Sequence, residues 1–303
     1  MADLTVIILT YNEERHIARA INCVNGLASD VVVVDSFSTD RTVEIARSLR
    51  ARVLQNRFIN HSKQFQWALD NAPILTNWVM RLDADEVVES DLVMRIQEQL
   101  STLPPDVVGI KLERKHVFMG RWIRHGGRYP LVLLRIWRHG YGRIEDRWMD
   151  EHMFTWGGHT VRFEGGFADH TLHDLTFFTD KHNKYATREA IDILGQRRGL
   201  FPRDKVDLKS TSQATSIKRF AKEKVYNRMP FQLTVLIYFF YRYFIQLGFL
   251  DGKEGLIYHF LQGLWYRFLV GVKLRELEKA TANLSDADEI KAKLRHLTGL
   301  AIE

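Results

Sequence analysis

The chain has 303 residues, 46% apolar and 26% charged, proportions that exclude a collagen, a disordered chain and a bare coiled coil. Lys and Arg outnumber Asp and Glu by 43 to 37, for a formal net charge of +6. With 12% aromatics, that excess points to an anionic partner: nucleic acid, a phosphorylated ligand or an anionic membrane. The single cysteine, Cys23, excludes a disulfide framework and a thiolate zinc centre and fits a reducing compartment. The opening MADLTVIILTYNEE has no basic n-region and no apolar h-region of signal-peptide length, so export is not expected.

The first hundred residues alternate two periods. Leu4 to Leu9 is a continuous apolar run of the kind a strand shows when both its faces are covered. Asn12 can cap a helix in which Ile17, Ile21 and Val24 share a face. Val31 to Val34 is a second buried strand, ending at Asp35. Asp40 then caps a helix with Val43, Ala46 and Leu49, and Val53-Leu54 is a short third strand. A helix with Phe65, Ala68, Leu69 and Ala72 precedes the strand Asn77 to Leu82, which runs into Asp83-Ala84-Asp85. Ser90 opens a helix with Leu92, Ile96 and Leu100 on one face. Strands alternating with helices predict a mostly parallel sheet, with ligands beyond the carboxyl ends of its strands.

After Pro104-Pro105 the pattern shifts to shorter strands at Val107 to Leu112, Leu131 to Trp137 and Thr160 to Phe163. From about residue 174 it is helical to the end. The expected division is a catalytic α/β domain over 1–205, split into halves 1–103 and 104–205, and an α-helical C-terminal region over 206–303. In that region Phe231 to Leu250 has 15 apolar residues in 20, and a second aromatic helix runs from Leu256 to Val272. Neither carries an unbroken apolar run long enough to span a bilayer, and Arg242 sits inside the first. Lys218, Arg219, Lys222, Lys224 and Arg228 precede both. Basic residues beside aromatic amphipathic helices suit a helix lying in a membrane interface. The other reading is a helical subdomain with an aromatic core, including a homo-oligomer interface.

No Walker A string, dinucleotide-binding glycine fingerprint, HExxH or GxSxG is present. The strongest chemical candidate is Asp83-Ala84-Asp85, because two carboxylates at a strand end can hold a hard divalent cation and leave positions for phosphate oxygens. The chain carries its own control. Asp286-Ala287-Asp288-Glu289 repeats the four letters of Asp83 to Glu86, but it follows Ser285 and opens a helix, so it reads as a capping box. Tyr11-Asn12-Glu13 and Asp35-Ser36-Phe37-Ser38-Thr39-Asp40 end neighbouring strands. Together the three strand ends offer groups for a base, a ribose diol and a metal-bound diphosphate.

The strings VIILTYNEE, VVVVDSFSTDRT and WVMRLDADE resemble glycosyltransferase family 2, inverting enzymes with the GT-A fold, a Rossmann-like sheet with flanking helices. The later stretch GRWIRHGGRYP to DRWMDEHM is similar to bacterial lipopolysaccharide-core and exopolysaccharide transferases of that family. The C-terminal third resembles the membrane-associated tails of some of them. One departure is that the common second-motif spelling DDGSTD is DSFSTD here, without one acid and the glycine. The resemblance implies that Tyr11, Glu13 and Asp35 contact the nucleoside, Asp83 the ribose or metal, and Asp85 a Mg²⁺ or Mn²⁺ on the diphosphate. Thr10 and Arg81, beside these residues, complete the candidate donor set.

An inverting transfer also needs a carboxylate to deprotonate the acceptor hydroxyl. The family pattern favours Glu151, with Asp150 and Asp146 behind it. Residues 111–150 hold ten Lys and Arg against four acids. Within them Arg124-His125-Gly126-Gly127-Arg128 is the candidate acceptor loop, read on Arg124, His125 and Arg128. His170, His173, Lys181 and His182 are candidates to assist the diphosphate. The expected protein moves a sugar from a nucleotide-diphosphate sugar to a lipid-linked glycan or polysaccharide at the cytoplasmic face of the membrane, with no nucleic-acid partner. The alternatives are a non-catalytic scaffold of the same fold and a basic nucleic-acid-binding protein.

Overall fold

The computed structural model describes residues 1–145, 152–201 and 230–302. The chain divides into two compact units, Met1–Leu175 and Thr176–Glu303. The second unit therefore begins upstream of the expected boundary at 206. The reason is local: Ala186 of the helix Leu175–Arg198 is buried against Tyr266 and Val270, so this helix packs with the later helices.

The first unit runs β1 (Ala2–Thr10), α1 (Ile17–Val24), β2 (Ala28–Asp35), α2 (Thr42–Ser48), β3 (Arg52–Gln55), α3 (His61–Asn71) and β4 (Trp78–Asp83). It continues through β5 (Glu86–Val88), α4 (Ser90–Gln99), β6 (Val107–Phe118), β7 (Arg121–Trp122) and β8 (Leu131–Arg138). The last strands are β9 (Gly142–Ile144), β10 (Met153–Thr155) and β11 (His159–His170). The main sheet has the order β3-β2-β1-β4-β8-β6-β11-β5, with β7 hung on β6, while β9 and β10 form a separate ribbon. β3, β2, β1 and β4 are parallel, and β8 joins antiparallel to β4.

The apolar run of β1 has no polar alternation because both its faces are buried. Leu4, Val6 and Ile8 pack with Ile17, Ile21 and Val24 of α1 and with Leu92 and Ile96 of α4. Ile7 faces the other way, with Val32, Val34, Phe65, Ala68 and Trp137. Each such aliphatic side chain contributes about 1.5–3 kcal/mol by leaving water. The chain passes from β1 outward through β2 and β3, then returns to place β4 on the opposite flank of β1. That reversal opens a crevice at the carboxyl ends of β1 and β4. Register fixes what stands there: Thr10 pairs with Asp35, and Leu9 pairs with Asp83.

Three capping expectations change. Asn12 does not cap α1; it sits in the left-handed region at φ 56°, and its side-chain oxygen instead accepts from the Thr39 N–H at 2.8 Å. Before the final helix, Ala287–Thr298, the capping residue is Asp286 rather than Ser285. Its Oδ1 accepts from the N–H groups of Asp288 at 3.0 Å and Glu289 at 2.9 Å. At the start of α2 the N-cap position is Arg41, and Asp40, one residue earlier, accepts from Thr42 N–H at 3.0 Å.

In the second unit the first aromatic segment is Phe231–Phe240, a π-helical turn Tyr241–Ile245 and a 3₁₀ turn Gly248–Asp251. The second is Gly252–His259, a π-helical turn Phe260–Trp265 and Tyr266–Ala280. A Cβ on Gly271 would lie 2.3 Å from the Phe231 ring, so glycine there permits the close approach of the two segments. Among the described residues no single helix is long and apolar enough to cross a membrane. Phe231–Ile245 and Gly248–Ala280 pass that test only as a pair, bent by 70°. Leu236, Phe240, Phe244, Leu247, Phe260 and Phe268 are exposed on this unit. The basic run Lys218 to Arg228 lies outside the described residues.

Candidate active site at the carboxyl edge of the sheet

The loops after β1 and β2 are stitched together by short polar side chains. Asn12 N–H donates to Ser38 Oγ at 2.8 Å, Glu13 N–H to Thr42 Oγ1 at 2.8 Å, and Glu14 N–H to Asp40 Oδ2 at 3.1 Å. Asp35 is fully buried and organises the junction. It accepts from Ser38 N–H at 2.9 Å, Gln55 Nε2 at 3.1 Å, Thr10 Oγ1 at 3.3 Å, and the Ser38 hydroxyl. Its carboxylate is thus occupied by the protein, and Thr10 is buried beside it.

Two residues on these loops hold left-handed backbone without being glycine, Asn12 at φ 56° and Phe37 at φ 62°. For a bulky residue such as Phe that conformation costs about 1–3 kcal/mol. Tyr11 and Phe37 are 58% and 55% exposed, so this edge presents two aromatic rings to solvent. Glu13 turns inward: its Oε2 lies 2.6 Å from His16 Nδ1, and His16 Nε2 accepts from Leu172 N–H at 2.8 Å. The second contact requires Nε2 to be bare, so Nδ1 carries the proton and donates to Glu13. Glu13, His16 and His173 bring ligand-type atoms within 4.8 Å of one another, but both nitrogens of His16 are engaged in these bonds.

The end of β4 is the most highly charged part of the edge. Asp83 Oδ1 accepts from Arg81 Nε at 3.1 Å and its Oδ2 from Arg135 Nη2 at 3.2 Å. The Asp83 N–H donates to Glu86 Oε2 at 2.9 Å. Glu86, completely buried, is bound by Arg135 Nη2 at 2.5 Å and Arg114 Nη1 at 3.2 Å. Asp169 on β11 lies 3.8 Å from Arg114 Nη2 and 3.1 Å from His116 Nδ1. Burial would raise the Asp83 carboxyl, but the Arg81 and Arg135 guanidiniums outweigh it and hold the group well below the usual carboxylate range. In Glu86 burial wins: despite Arg135 and Arg114, and with the Asp83 charge adding to it, the carboxyl is pushed up to about 7.

Asp85 is anchored in part through its main chain. Its carbonyl accepts from His170 N–H at 2.9 Å and from Arg19 Nη2 at 3.4 Å, and its negative charge offsets part of the burial cost of the Arg19 guanidinium. Burial, then the Arg19 charge, lowers the His170 imidazole below its ordinary value. The two DADE copies thus diverge. In the second, Asp286 receives two helix N–H groups. In the first, Glu86 turns down into a guanidinium layer and leaves Asp83 and Asp85 at the rim.

The structure brings Thr10, Tyr11, Glu13, Asp35, Arg81, Asp83 and Asp85 to the ends of three adjacent strands. Arg124-His125-Gly126-Gly127-Arg128 forms a turn in which Gly126 and Gly127 sit at φ 65° and 66°, backbone that glycine adopts without strain. Exposed Arg124 stacks 5.0 Å from the Trp122 ring centroid, and Arg128 N–H donates to the His125 carbonyl at 3.3 Å. Asp146, Asp150 and Glu151 lie outside the described residues, between β9 and β10 in the chain. His182 is not on the strand-end loops. It belongs to the second unit, where the Phe178 carbonyl, 2.7 Å from its Nδ1, and the Gln262 amide engage its ring. Lys181 lies on the same helix, over the Tyr185 ring at 5.9 Å.

Arg135, Arg114 and Glu86 are site residues that motif reasoning passed over. Their signal was a charge inside an apolar strand: Arg135 interrupts LVLLRIWR, and such a residue needs a buried partner.

Residues 5–170 match the family described as "Glycosyl transferase family 2". An uncharacterised glycosyltransferase of Rickettsia typhi is 38% identical over 97 residues, 32% of either chain. One of Rickettsia prowazekii is 37% identical over 97 residues, again 32% of either. The chain thus spans about a third of the length of these relatives. Among solved structures, the glucosyl-3-phosphoglycerate synthase of Mycobacterium tuberculosis, crystallised with Mn²⁺, UDP and glucosyl-3-phosphoglycerate, is 19% identical. That similarity covers 37% of this chain and 44% of the synthase, at a TM-score of 0.32.

Proposed function

The chain belongs to glycosyltransferase family 2, and from that premise we propose that it transfers a sugar, with inversion, from a nucleotide-diphosphate sugar to a lipid-linked or polysaccharide acceptor. The observation that carries this reading is the alignment of Asp83 and Asp85 with the crevice between β1 and β4. That is where an open α/β sheet takes its ligands.

The carboxylates suit a divalent cation. Asp85 offers a hard oxygen donor at the rim, and each Asp83 oxygen holds one guanidinium bond with lone pairs to spare. Mg²⁺ and Mn²⁺ favour one or two carboxylates, with phosphate oxygens and water completing the shell. When bound there, the cation neutralises charge on the diphosphate leaving group. The chain's own residues do the rest. Arg81 and Arg135 keep Asp83 ionised, and the Arg19 and His170 contacts to the Asp85 carbonyl fix where that residue stands. The solvent-facing Tyr11 is assigned to the nucleoside, while Glu13, bonded to His16, and Asp35, bonded to Ser38, set the shape of the loops that carry it. The general base is assigned to Glu151, with Asp150 as its neighbour, on sequence grounds. The turn Arg124 to Arg128 supplies cations for an acidic or phosphorylated acceptor.

The exposed aromatic face of the C-terminal helices supports a peripheral seat on the inner face of the cell membrane, where such acceptors are held. The test is release of nucleoside diphosphate from a panel of nucleotide sugars, with a lipid extract as acceptor. Turnover by the wild type that Asp85→Asn abolishes supports the reading. Turnover unchanged in Asp85→Asn sinks the assignment of the metal site.

A further inference from the structure

Phe37 is held in a conformation its side chain disfavours, and the surrounding loop enforces it. Ser36 N–H donates to the Thr10 carbonyl at 2.9 Å, and Gln64 Nε2 reaches Ser36 Oγ at 3.1 Å. On the other side Ser38 N–H is fixed to Asp35 and Ser38 Oγ accepts from Asn12. With both neighbours anchored, the backbone turns through φ 62° and leaves the Phe37 ring in solvent. A glycine would satisfy the same turn without strain. With more than half of its surface in solvent, the Phe37 ring adds little to the core.

Tyr11, one residue beyond the Thr10–Asp35 pair, is the other solvent-facing ring at this edge. Among the described residues neither ring makes a hydrogen bond or a ring contact, with each other or with a third ring. Two unpartnered rings at the ends of adjacent parallel strands, beside the carboxylates of β4, suit a planar aromatic ligand attached to a polyanion. We propose that Phe37 is a donor-binding residue that stacks on the nucleobase, opposite or beside Tyr11, and that its strained backbone is kept for that contact. This rests on the reading of the edge as a nucleotide-sugar site and adds a residue to it.

The test compares full-length wild type, Phe37→Gly and Phe37→Tyr. Dissociation constants are measured with Mn²⁺ for uridine, guanosine, adenosine, cytidine and thymidine diphosphates, and for inorganic pyrophosphate as the base-free probe. Stacking on an aromatic side chain changes affinity by roughly tenfold or more. Phe37→Gly should therefore bind the preferred nucleoside diphosphate about tenfold more weakly, bind pyrophosphate as the wild type does, and melt no lower. Relief of the strain should raise its melting temperature by about 2–4 °C. Phe37→Tyr should retain wild-type nucleotide affinity. Equal nucleotide affinity in wild type and Phe37→Gly overturns the proposal while leaving the donor site standing. An equal loss for pyrophosphate also overturns it, because the substitution would then have deformed the loop. If the wild type binds pyrophosphate but no nucleoside diphosphate more tightly, the donor-site reading fails and this proposal falls with it.

Discussion

Glu86 is fully buried between the guanidiniums of Arg135 and Arg114, and that position sets how it titrates. Its carboxyl moves from an ordinary 4.5 to about 7 on folding. Between those values the folded chain keeps a proton that the unfolded chain has released. The stability associated with protonated Glu86 is therefore complete below pH 4.5 and is lost as pH rises through about 7. Asp83 has the opposite sign: its depressed carboxyl stabilises the fold above 3.8, and that contribution fades as pH falls below it. Thermal melts from pH 4.5 to 8 should show Glu86→Gln gaining on the wild type as pH rises across the interval between 4.5 and about 7. Parallel curves would contradict the assignment. At the rim, Asp85→Asn should lower kcat/KM by about 100-fold or more, because neutralising a diphosphate leaving group is worth several kcal/mol. Steady-state kinetics on the preferred nucleotide sugar would show it.

The same four letters specify different structures because the neighbouring elements differ. Asp286 begins an exposed helix, and two N–H groups close on one of its oxygens. Replacing it with Ala should cost about 0.5–2 kcal/mol of stability and leave turnover unchanged, a pair of effects that melting and kinetics separate. Elements with strong periodicity were legible from sequence: β1, β2, β4, α1 and α4 lie where their apolar residues place them, because burial of a whole face leaves one register available. Strand lengths were less legible. β6 extends to Phe118 and β11 to His170, since Arg114, Lys115 and Asp169 look like loop residues until their partners are known. Asn12 was misread as a cap because its partner, Thr39, comes from the next loop. The meeting of the three strand ends at one edge was legible, and the guanidinium layer beneath them was not. It depends on antiparallel additions, β8 onto β4 and β5 onto β11, that local sequence does not encode.

On the scale of the whole molecule, the proposed donor site lies on the first unit and the exposed aromatic side chains on the second, and the proposed membrane role rests on the latter. Phe240 and Phe244 are about half exposed, so replacing both with Ser should weaken cosedimentation with anionic phospholipid vesicles without lowering the melting temperature. Binding unchanged by that double substitution would remove the membrane role from this face. The central claim, that the carboxyl edge between β1 and β4 is a metal-dependent nucleotide site, is tested most directly by calorimetric titration of the full chain with nucleoside diphosphates. Each titration is run with Mn²⁺ and again with EDTA, for the wild type and for Asp85→Asn. Wild-type binding of one nucleoside diphosphate that EDTA and Asp85→Asn both abolish is the predicted result. Binding that persists undiminished in EDTA and in Asp85→Asn, or no binding by the wild type to any of them, would contradict it.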